Sequence, residues 1–202
     1  SEGGRRNRTR NVLIASEFAL ALMLLVGAGL LIRSFAAMQS LNPGYDPANV
    51  LTMVVPVTGT SSSPEGKRAA FYDALLGDIR AMPGVQSASA VNHIPIGGDS
   101  WGFPFRVEGR PEPRAGEVPS ASYKVVMPGY FATMRIPVIA GRDVTASDNL
   151  SAPGVVVVNE YLAHQYWPAE SAVGKRVSLA KDSTGSRVWL TVVGVVHNTI
   201  HG

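Results

Sequence analysis

The sequence contains no cysteine and only four histidines. The absence of thiols excludes a disulfide framework and thiolate metal sites, and it suits a domain outside the cytoplasm without requiring one. His197 and His201 have the four-residue spacing that chelates a metal on a helix, but they follow a predicted strand. We therefore interpret the histidines as surface residues and expect no metal and no other cofactor.

The greater part of the chain also lacks a surplus of either charge. Arg5, Arg6, Arg8, Arg10 and Glu2 all lie in a short N-terminal arm. Without these five residues, the totals of 18 basic and 15 acidic residues become 14 of each. The sequence pI of 9.4 is thus a property of the arm. Nucleic-acid binding needs a basic face on the folded part, so we expect no nucleic-acid partner.

One long apolar run, Val12–Ile32, follows the arm, and no later run approaches its length. As a helix it spans about 31 Å, close to the roughly 30 Å hydrocarbon core of a bilayer. The basic arm predicts that residues 1–11 lie in the cytoplasm and that the chain beyond residue 33 lies outside. A cleaved signal peptide is the alternative. The apolar region of a signal peptide has only about 7–15 residues, however, and the run Val12–Ile32 is longer. We favour a retained transmembrane helix with its extension over 12–41.

Three residues of this run are predicted helix contacts. Glu17 lies about 7–8 Å from Val12 along the helix axis, near the cytoplasmic end. An acid there costs less than the roughly 2.5–3.5 kcal/mol of the bilayer centre, and it can pair with a group on a neighbouring helix. Gly27 and Gly29 allow helix backbones to approach closely.

Beyond residue 42 the predicted elements are those of an α+β fold rather than a doubly wound sheet. One apolar face predicts a helix over 64–82, which Pro83 and Gly84 end. Asn159 is a predicted N-cap for a short helix over 160–166, which Pro168 ends. The remaining predictions are strands over 49–57, 85–94, 103–108, 121–126, 136–143, 155–158, 177–179 and 187–196, and a short helix over 128–134.

No residue cluster predicts catalysis. The segment ending at Gly174, Lys175 and Arg176 is not a phosphate-binding loop, because that motif needs Gly at 169 and Ser or Thr at 176. Glu160 and His164 share a helix face, but no metalloprotease pattern surrounds them. We therefore expect no catalytic residue and no ATPase motif in this chain.

The order of several segments is more specific than any one motif. A helix ending LLVGAGLLIRSF leads to NPGYDPANVLT and then to a helix closing in MPGV. Farther on come FRVEGRP, VVMPGYFATMRIPVIAGRDV, VVVVNEYLAHQYWP, AVGKRV and WLTVVGVVHN. Over about residues 5–200 the chain resembles the first transmembrane helix and MacB-like periplasmic core domain of FtsX-like ABC transporter permeases, especially large ones with two such units in tandem.

The resemblance implies a permease that works with an ABC ATPase subunit in the bacterial cytoplasmic membrane. It implies a basic arm over 1–11, a helix over 12–41 and a periplasmic domain over 42–202. The domain would have a porter-like strand–helix–strand lobe and an inserted second lobe over about 103–175. Since the family has further helices, we expect this chain to be a fragment. Its partners would be the ATPase, other permease helices or a second permease unit, and the lipid bilayer.

The family motifs in this chain are interpreted as structural, with no substrate residue among them. They would form a cap and a turn that hold the second lobe together: Pro128, Gly129, Tyr130, Phe131, Gly141, Arg142, Asp143, Asn159, Glu160, Trp167 and Pro168.

Two other functions remain open at this point. A complete single-span membrane-anchored binding or adaptor module would need neither an ATPase nor further helices. An anchored extracytoplasmic enzyme would lose activity when His93, His164, Glu160 or Asp148 is replaced. The permease predicts three more long apolar segments in the downstream coding sequence, whereas the other two do not.

Overall fold

The computed structural model describes residues 2–39, 43–56, 65–94, 102–114, 116–181 and 184–199. The chain divides into two compact units, Ser1–Asn42 and Pro43–Gly202.

The first unit is one helix, α1, over Glu2–Gln39. Within it, Arg10–Ala37 is long and apolar enough to cross a membrane. The predicted ends of the span, Val12 and Ile32, are both exposed on the helix surface. The helix begins earlier than expected, because the basic arm is helical from Glu2 onward. No proline precedes Val12, so nothing interrupts the helical hydrogen bonds between arm and span.

The second unit contains three helices and seven strands among its described residues. The helices are α2 (Glu65–Arg80), α3 (Tyr130–Thr133) and α4 (Glu160–Tyr166). The strands are β1 (Gly102–Pro104), β2 (Arg106–Val107), β3 (Ser120–Ser122), β4 (Val138–Gly141), β5 (Val155–Asn159), β6 (Arg176–Lys181) and β7 (Arg187–Val196). The predicted α+β class, with a long apolar helix before a sheet-containing domain, is confirmed.

Strand β7 is the centre of a five-stranded sheet. Strand β5 runs parallel to it along one edge, from Val155 opposite Thr191 to Asn159 opposite Val196. On the other edge of β7, strand β6 pairs antiparallel with the first half of β7, and β4 pairs antiparallel with its last residues. Strand β2 pairs with β6 and extends the sheet on that side. Ten residues of one strand therefore organise most of the domain.

Glycine is required where β4 meets the end of β7. Gly141 and Gly194 are paired residues in this register. A Cβ atom on Gly194 would lie 2.1 Å from the carbonyl oxygen of Arg142, and one on Gly141 would lie 2.2 Å from that of Val193. The two backbones approach so closely that no side chain fits between them.

Two apolar clusters form the core. The larger lies between the sheet and α4, and the smaller surrounds α3. The larger contains Phe105, Val107, Val158, Trp167, Ala172, Val177, Val192 and Val195. The smaller contains Tyr130, Phe131, Ile136 and Val196, with Tyr45 packed against them. Because β7 supplies residues to both, it joins the two clusters.

Two predicted strands differ from the structure. Residues 49–56 form no strand among the described residues, and Leu51 and Val54 are 94% and 90% exposed. Residues 85–94 contribute a single bridge, Val91 opposite Val126. A strand is stabilised by its partner, and no described segment pairs with 49–56, so its strand-forming composition is not sufficient. The expected strand–helix–strand lobe is thus represented by α2 and one bridge in the described part.

The predicted strand 103–108 is divided at Phe105. Strand β1 pairs with β3 in a separate two-stranded sheet, whereas β2 pairs with β6 in the larger sheet. Phe105 between them is buried in the larger cluster. The second lobe is expected to end at about residue 175. The large sheet contains strands from both sides of that position, so no break in the sheet coincides with the expected boundary. The boundary stays a prediction.

Candidate functional site

Four segments of the domain converge at one place, which we call the junction: residues 43–48, 134–137, 159–161 and 197–199. Residues 43–48 follow α1 in the sequence, and residues 197–199 follow β7. The backbone N–H of Asp46 donates to the carbonyl of Met134 at 3.2 Å, and that of His197 donates to the carbonyl of Pro137 at 3.0 Å. Both segments are thereby fixed to the turn between α3 and β4.

The segment that follows α1 and the segment that follows β7 also touch one another. Gly44 has a φ of 81°. A Cβ atom there would lie 2.0 Å from the carbonyl oxygen of Asn198 and 2.9 Å from the Cα of Thr199. Only glycine allows this conformation together with this contact. The chain that follows α1 therefore packs directly against the chain that follows β7.

Arg135 holds the first of these segments. Its Nη1 donates to the Asp46 carboxylate and, at 3.2 Å, to the carbonyl of Ala48. The other Asp46 oxygen accepts from the Ala48 N–H at 2.9 Å. The Ala48 N–H and, after it, the Arg135 guanidinium hold the pKa of Asp46 below its usual value. The carboxylate is therefore the form that closes this turn.

Tyr45 anchors the same segment in the smaller apolar cluster, beside Tyr130. Burial, and secondarily the neighbouring Tyr45, raises the pKa of Tyr130 to about 12. Tyr130 and Phe131, interpreted from the sequence as parts of a cap, are both buried in this cluster.

The first turn of helix α4 holds residues 197–199, the segment that follows β7. Asn159 caps the helix as predicted, accepting from the Leu162 N–H at 3.1 Å. Asn198 accepts from the Tyr161 N–H at 2.9 Å. The Glu160 carboxylate lies 3.2 Å from Nδ1 of His197. Asn159 and Glu160, predicted only as structural residues, thus lie at the junction.

The two motifs predicted to form a cap and a turn are neighbours in space. Pro128 and Gly129 lead into α3, and Gly129 has a φ of 83°. Burial raises the pKa of Asp143, while hydrogen bonds from the N–H groups of Val144 and Gly129 oppose that shift. The carboxylate of Asp143 therefore connects the turn after β4 to the start of α3.

Arg142 forms a two-pronged ion pair with Asp148, at 2.7 and 2.8 Å. The Asp148 side chain is only 7% exposed and also accepts from the N–H and hydroxyl of Thr145. The Arg142 guanidinium, and then the Thr145 N–H, hold the pKa of Asp148 well below its usual range. The pair closes the loop that follows β4.

This pair predicts a loss of stability in acid. Because the folded-state pKa of Asp148 is depressed, its contribution is complete above the unfolded-state pKa of about 3.9 and is lost as pH falls below it. We expect Asp148→Asn to lower the free energy of unfolding by about 1–2 kcal/mol at pH 7, since water screens the half-exposed Arg142. Thermal unfolding in detergent micelles should show a smaller decline between pH 5 and pH 3 for the variant. An unchanged decline would contradict this role.

The last two predicted motif residues lie away from the junction. Trp167 ends α4, where its N–H donates to the carbonyl of Ala163 at 2.9 Å, and its side chain is buried in the larger cluster. Pro168 follows in an exposed turn. Trp167 therefore secures the end of α4 on the sheet.

The sequence did not reveal three junction residues: Gly44, Asp46 and Arg135. Asn-Pro-Gly and Asp-Pro indicate a turn near residues 42–47 but not its partner. Arg135 has a φ of 52°, which sequence patterns do not predict for arginine. This left-handed conformation costs a non-glycine residue about 1–2 kcal/mol.

The predicted helix contacts do not lie on one face of α1. At about 100° per residue, Gly27 and Gly29 are about 160° apart around the axis, so the two cannot serve a single contact. Gly27 lies in a shallow apolar depression formed with Leu22, Met23, Val26 and Leu30. Glu17 is about 80° from Gly27.

Comparison with known proteins gives a family match. The sequence pattern of the MacB-like periplasmic core domain matches residues 14–202. No curated protein matches the chain.

Several solved structures are similar to this chain, among them the following two. The periplasmic region of MacB from Actinobacillus actinomycetemcomitans is 18% identical, with a TM-score of 0.44, and the match covers 67% of this chain and 56% of that one. The extracellular domain of the noncanonic ABC-type transporter YknZ from Gram-positive bacteria is 19% identical, with a TM-score of 0.42, and the match covers 63% and 58%. The chain thus spans less than two thirds of either structure.

Proposed function

Because the chain belongs to the MacB-like periplasmic core domain family, the periplasmic domains of an ABC transporter permease family, we propose that it couples a partner ATPase to work outside the membrane. In this proposal α1 is the first transmembrane helix of a permease unit and residues 43–202 are its extracytoplasmic domain. ATP-driven motion of the helices reaches the domain and supports export or the transmission of force. The chain is then a mechanical element, with ATP hydrolysis in another subunit or another part of the protein.

The proposed orientation follows from charge. Arg5, Arg6, Arg8 and Arg10 precede the span, so the N-terminus is cytoplasmic and the domain periplasmic, with α1 in the cytoplasmic membrane. Arg10 and Arg33 bracket 22 residues, about 33 Å of helix, which suits a bilayer core of about 30 Å.

The junction is the observation that carries the coupling proposal. The segment that follows the spanning helix is not a free linker. It is fixed by Tyr45 in an apolar cluster, by Asp46 to the turn after α3, and by Gly44 against Asn198. A displacement of this segment is therefore transmitted to a core built around β7, because packed interiors shift between discrete arrangements rather than deforming gradually.

The coupling can be measured in the full-length permease with its ATPase in lipid nanodiscs. We expect hydrogen exchange in peptides covering 43–50 and 130–137 to differ between the nucleotide-free complex and the complex trapped with ATP and vanadate. The reason is that the trapped ATPase moves the helices to which this segment is joined. If no peptide of residues 43–199 changes its exchange, the coupling function is wrong.

We also propose that α1 contacts other permease helices through two separate faces. One carries Glu17, whose carboxylate forms no hydrogen bond or ion pair with any described residue. The other carries the depression at Gly27, where a neighbouring backbone can approach. Gly29 lies opposite Gly27 and would serve a third contact or face lipid.

Glu17→Leu is expected to weaken assembly of the full-length permease with its ATPase. The substitution removes the one acidic side chain of the span, and with it any pairing to a neighbouring helix. Co-purification from membranes should fall several-fold, whereas Phe18→Leu, on the next residue, should leave it at the wild-type level. Wild-type assembly and ATP-coupled exchange in Glu17→Leu would show that this contact does not exist.

A further inference from the structure

The turn after α3 is a complete helix-ending motif with an unexpected residue in it. The Ile136 N–H donates to the carbonyl of Phe131 at 2.8 Å, and the Arg135 N–H donates to that of Ala132 at 3.1 Å. These are the two hydrogen bonds of a Schellman motif, and Ile136 and Phe131 supply its apolar contact. The motif places Arg135 in the left-handed position, where glycine is the preferred residue.

The contacts of the side chain give a reason for arginine at this position. Its guanidinium binds both the carboxylate of Asp46 and the carbonyl of Ala48. It thus holds two points of the segment that follows α1, and the backbone N–H of Asp46 binds the adjacent residue, Met134. A glycine would relieve the backbone conformation but would release this segment.

From this geometry we infer that Arg135 is a positioning residue that transmits movement of residues 43–48 to the smaller apolar cluster. The inference rests on the proposed coupling function and names the group that performs it. The link is short, because Arg135 lies between Met134, packed against the cluster, and Ile136, a buried member of it. A pull on Asp46 therefore acts on the backbone between these two residues.

Arg176 provides a matched control. It pairs with Glu108 at another part of the sheet, and the exposed fractions of these side chains, 48% and 41%, resemble the 46% and 48% of Arg135 and Asp46. Both pairs are therefore screened by water to a similar degree. If any exposed ion pair served equally well, removing either would have the same effect.

The test uses the full-length permease and ATPase in nanodiscs, with hydrogen exchange measured with and without ATP and vanadate. In Arg135→Gly we expect exchange at the Asp46 and Ala48 amides to rise about two- to five-fold without nucleotide. We expect the nucleotide-dependent change in peptides covering 130–137 to fall by at least about half, with a thermal midpoint within about 3 °C of the wild type. Arg135→Lys should restore part of the change, and Arg176→Gln should keep all of it.

Asp46→Asn tests the same link from the other side. Asparagine can still accept from the Ala48 N–H but carries no charge for Arg135, so the loss of coupling should be repeated without any change at position 135. If the wild type shows the nucleotide-dependent change and both Arg135→Gly and Asp46→Asn retain it, the role of Arg135 is overturned while the coupling function stands. If the wild type itself shows no change, the coupling function fails.

Discussion

Gly194→Ala is expected to destabilise the domain strongly, lowering its free energy of unfolding by at least about 3 kcal/mol. The added methyl group would lie 2.1 Å from the carbonyl oxygen and 3.1 Å from the carbonyl carbon of Arg142. Both are backbone atoms of the chain that continues β4, so no side-chain rotation can relieve the contact. Strand β7 would have to move away from β4, and Val195 and Val196 beside Gly194 are buried in the two clusters.

Urea unfolding in detergent micelles, followed by tryptophan fluorescence, measures this effect. Gly77→Ala is the control: Gly77 lies inside α2, and a Cβ atom there meets nothing within 4 Å. Alanine favours a helix by up to about 1 kcal/mol over glycine, so this variant should be as stable as the wild type or more so. Equal midpoints for the two variants would mean that β4 and β7 do not approach as described.

The sequence was sufficient for elements whose signal is local. Asn159 before an apolar helical turn predicted both the cap and the helix α4, and the long apolar stretch ending at Val196 predicted the strand at the centre of the sheet. The run Val12–Ile32 predicted the long apolar helix α1 from its length and composition. In each case the chemistry that determines the element lies within a few residues of it.

Features that depend on distant partners were not predictable in this way. Residues 49–57 have the composition of a strand, yet Leu51 and Val54 remain exposed because composition does not supply a partner. The alternating pattern of residues 103–108 predicts one strand. The strand is divided at Phe105 because the residues before and after it pair with strands of different sheets. The junction is the extreme case, since Asp46 and Arg135 are 89 residues apart and nothing in the sequence near either residue indicates its partner.

Trp167→Ala should have the second largest effect, a loss of about 3–5 kcal/mol, because a buried aromatic side chain is replaced by a cavity. Trp167 is 7% exposed and packs in the larger cluster with Phe105 and Val192. Its backbone hydrogen bond to Ala163 is retained by alanine, so the loss reports packing alone. Urea unfolding followed by circular dichroism gives the measurement, and Trp167→Phe should lose less because part of the volume remains filled.

Tyr161 on the same helix separates this packing effect from a general sensitivity of α4. Its side chain is 67% exposed, and its contact with Asn198 is made by the backbone N–H, which Tyr161→Ala preserves. We expect that variant to change stability by no more than about 0.5 kcal/mol. A domain of ordinary stability has only about 5–15 kcal/mol to lose, so Trp167→Ala should also loosen α4 from the sheet, and Glu160 and Tyr161 with it. If Trp167→Ala lowered the free energy of unfolding no more than Tyr161→Ala, α4 would not be held by the core. Glu160 and Tyr161 would then not be fixed at the junction by the packing of α4.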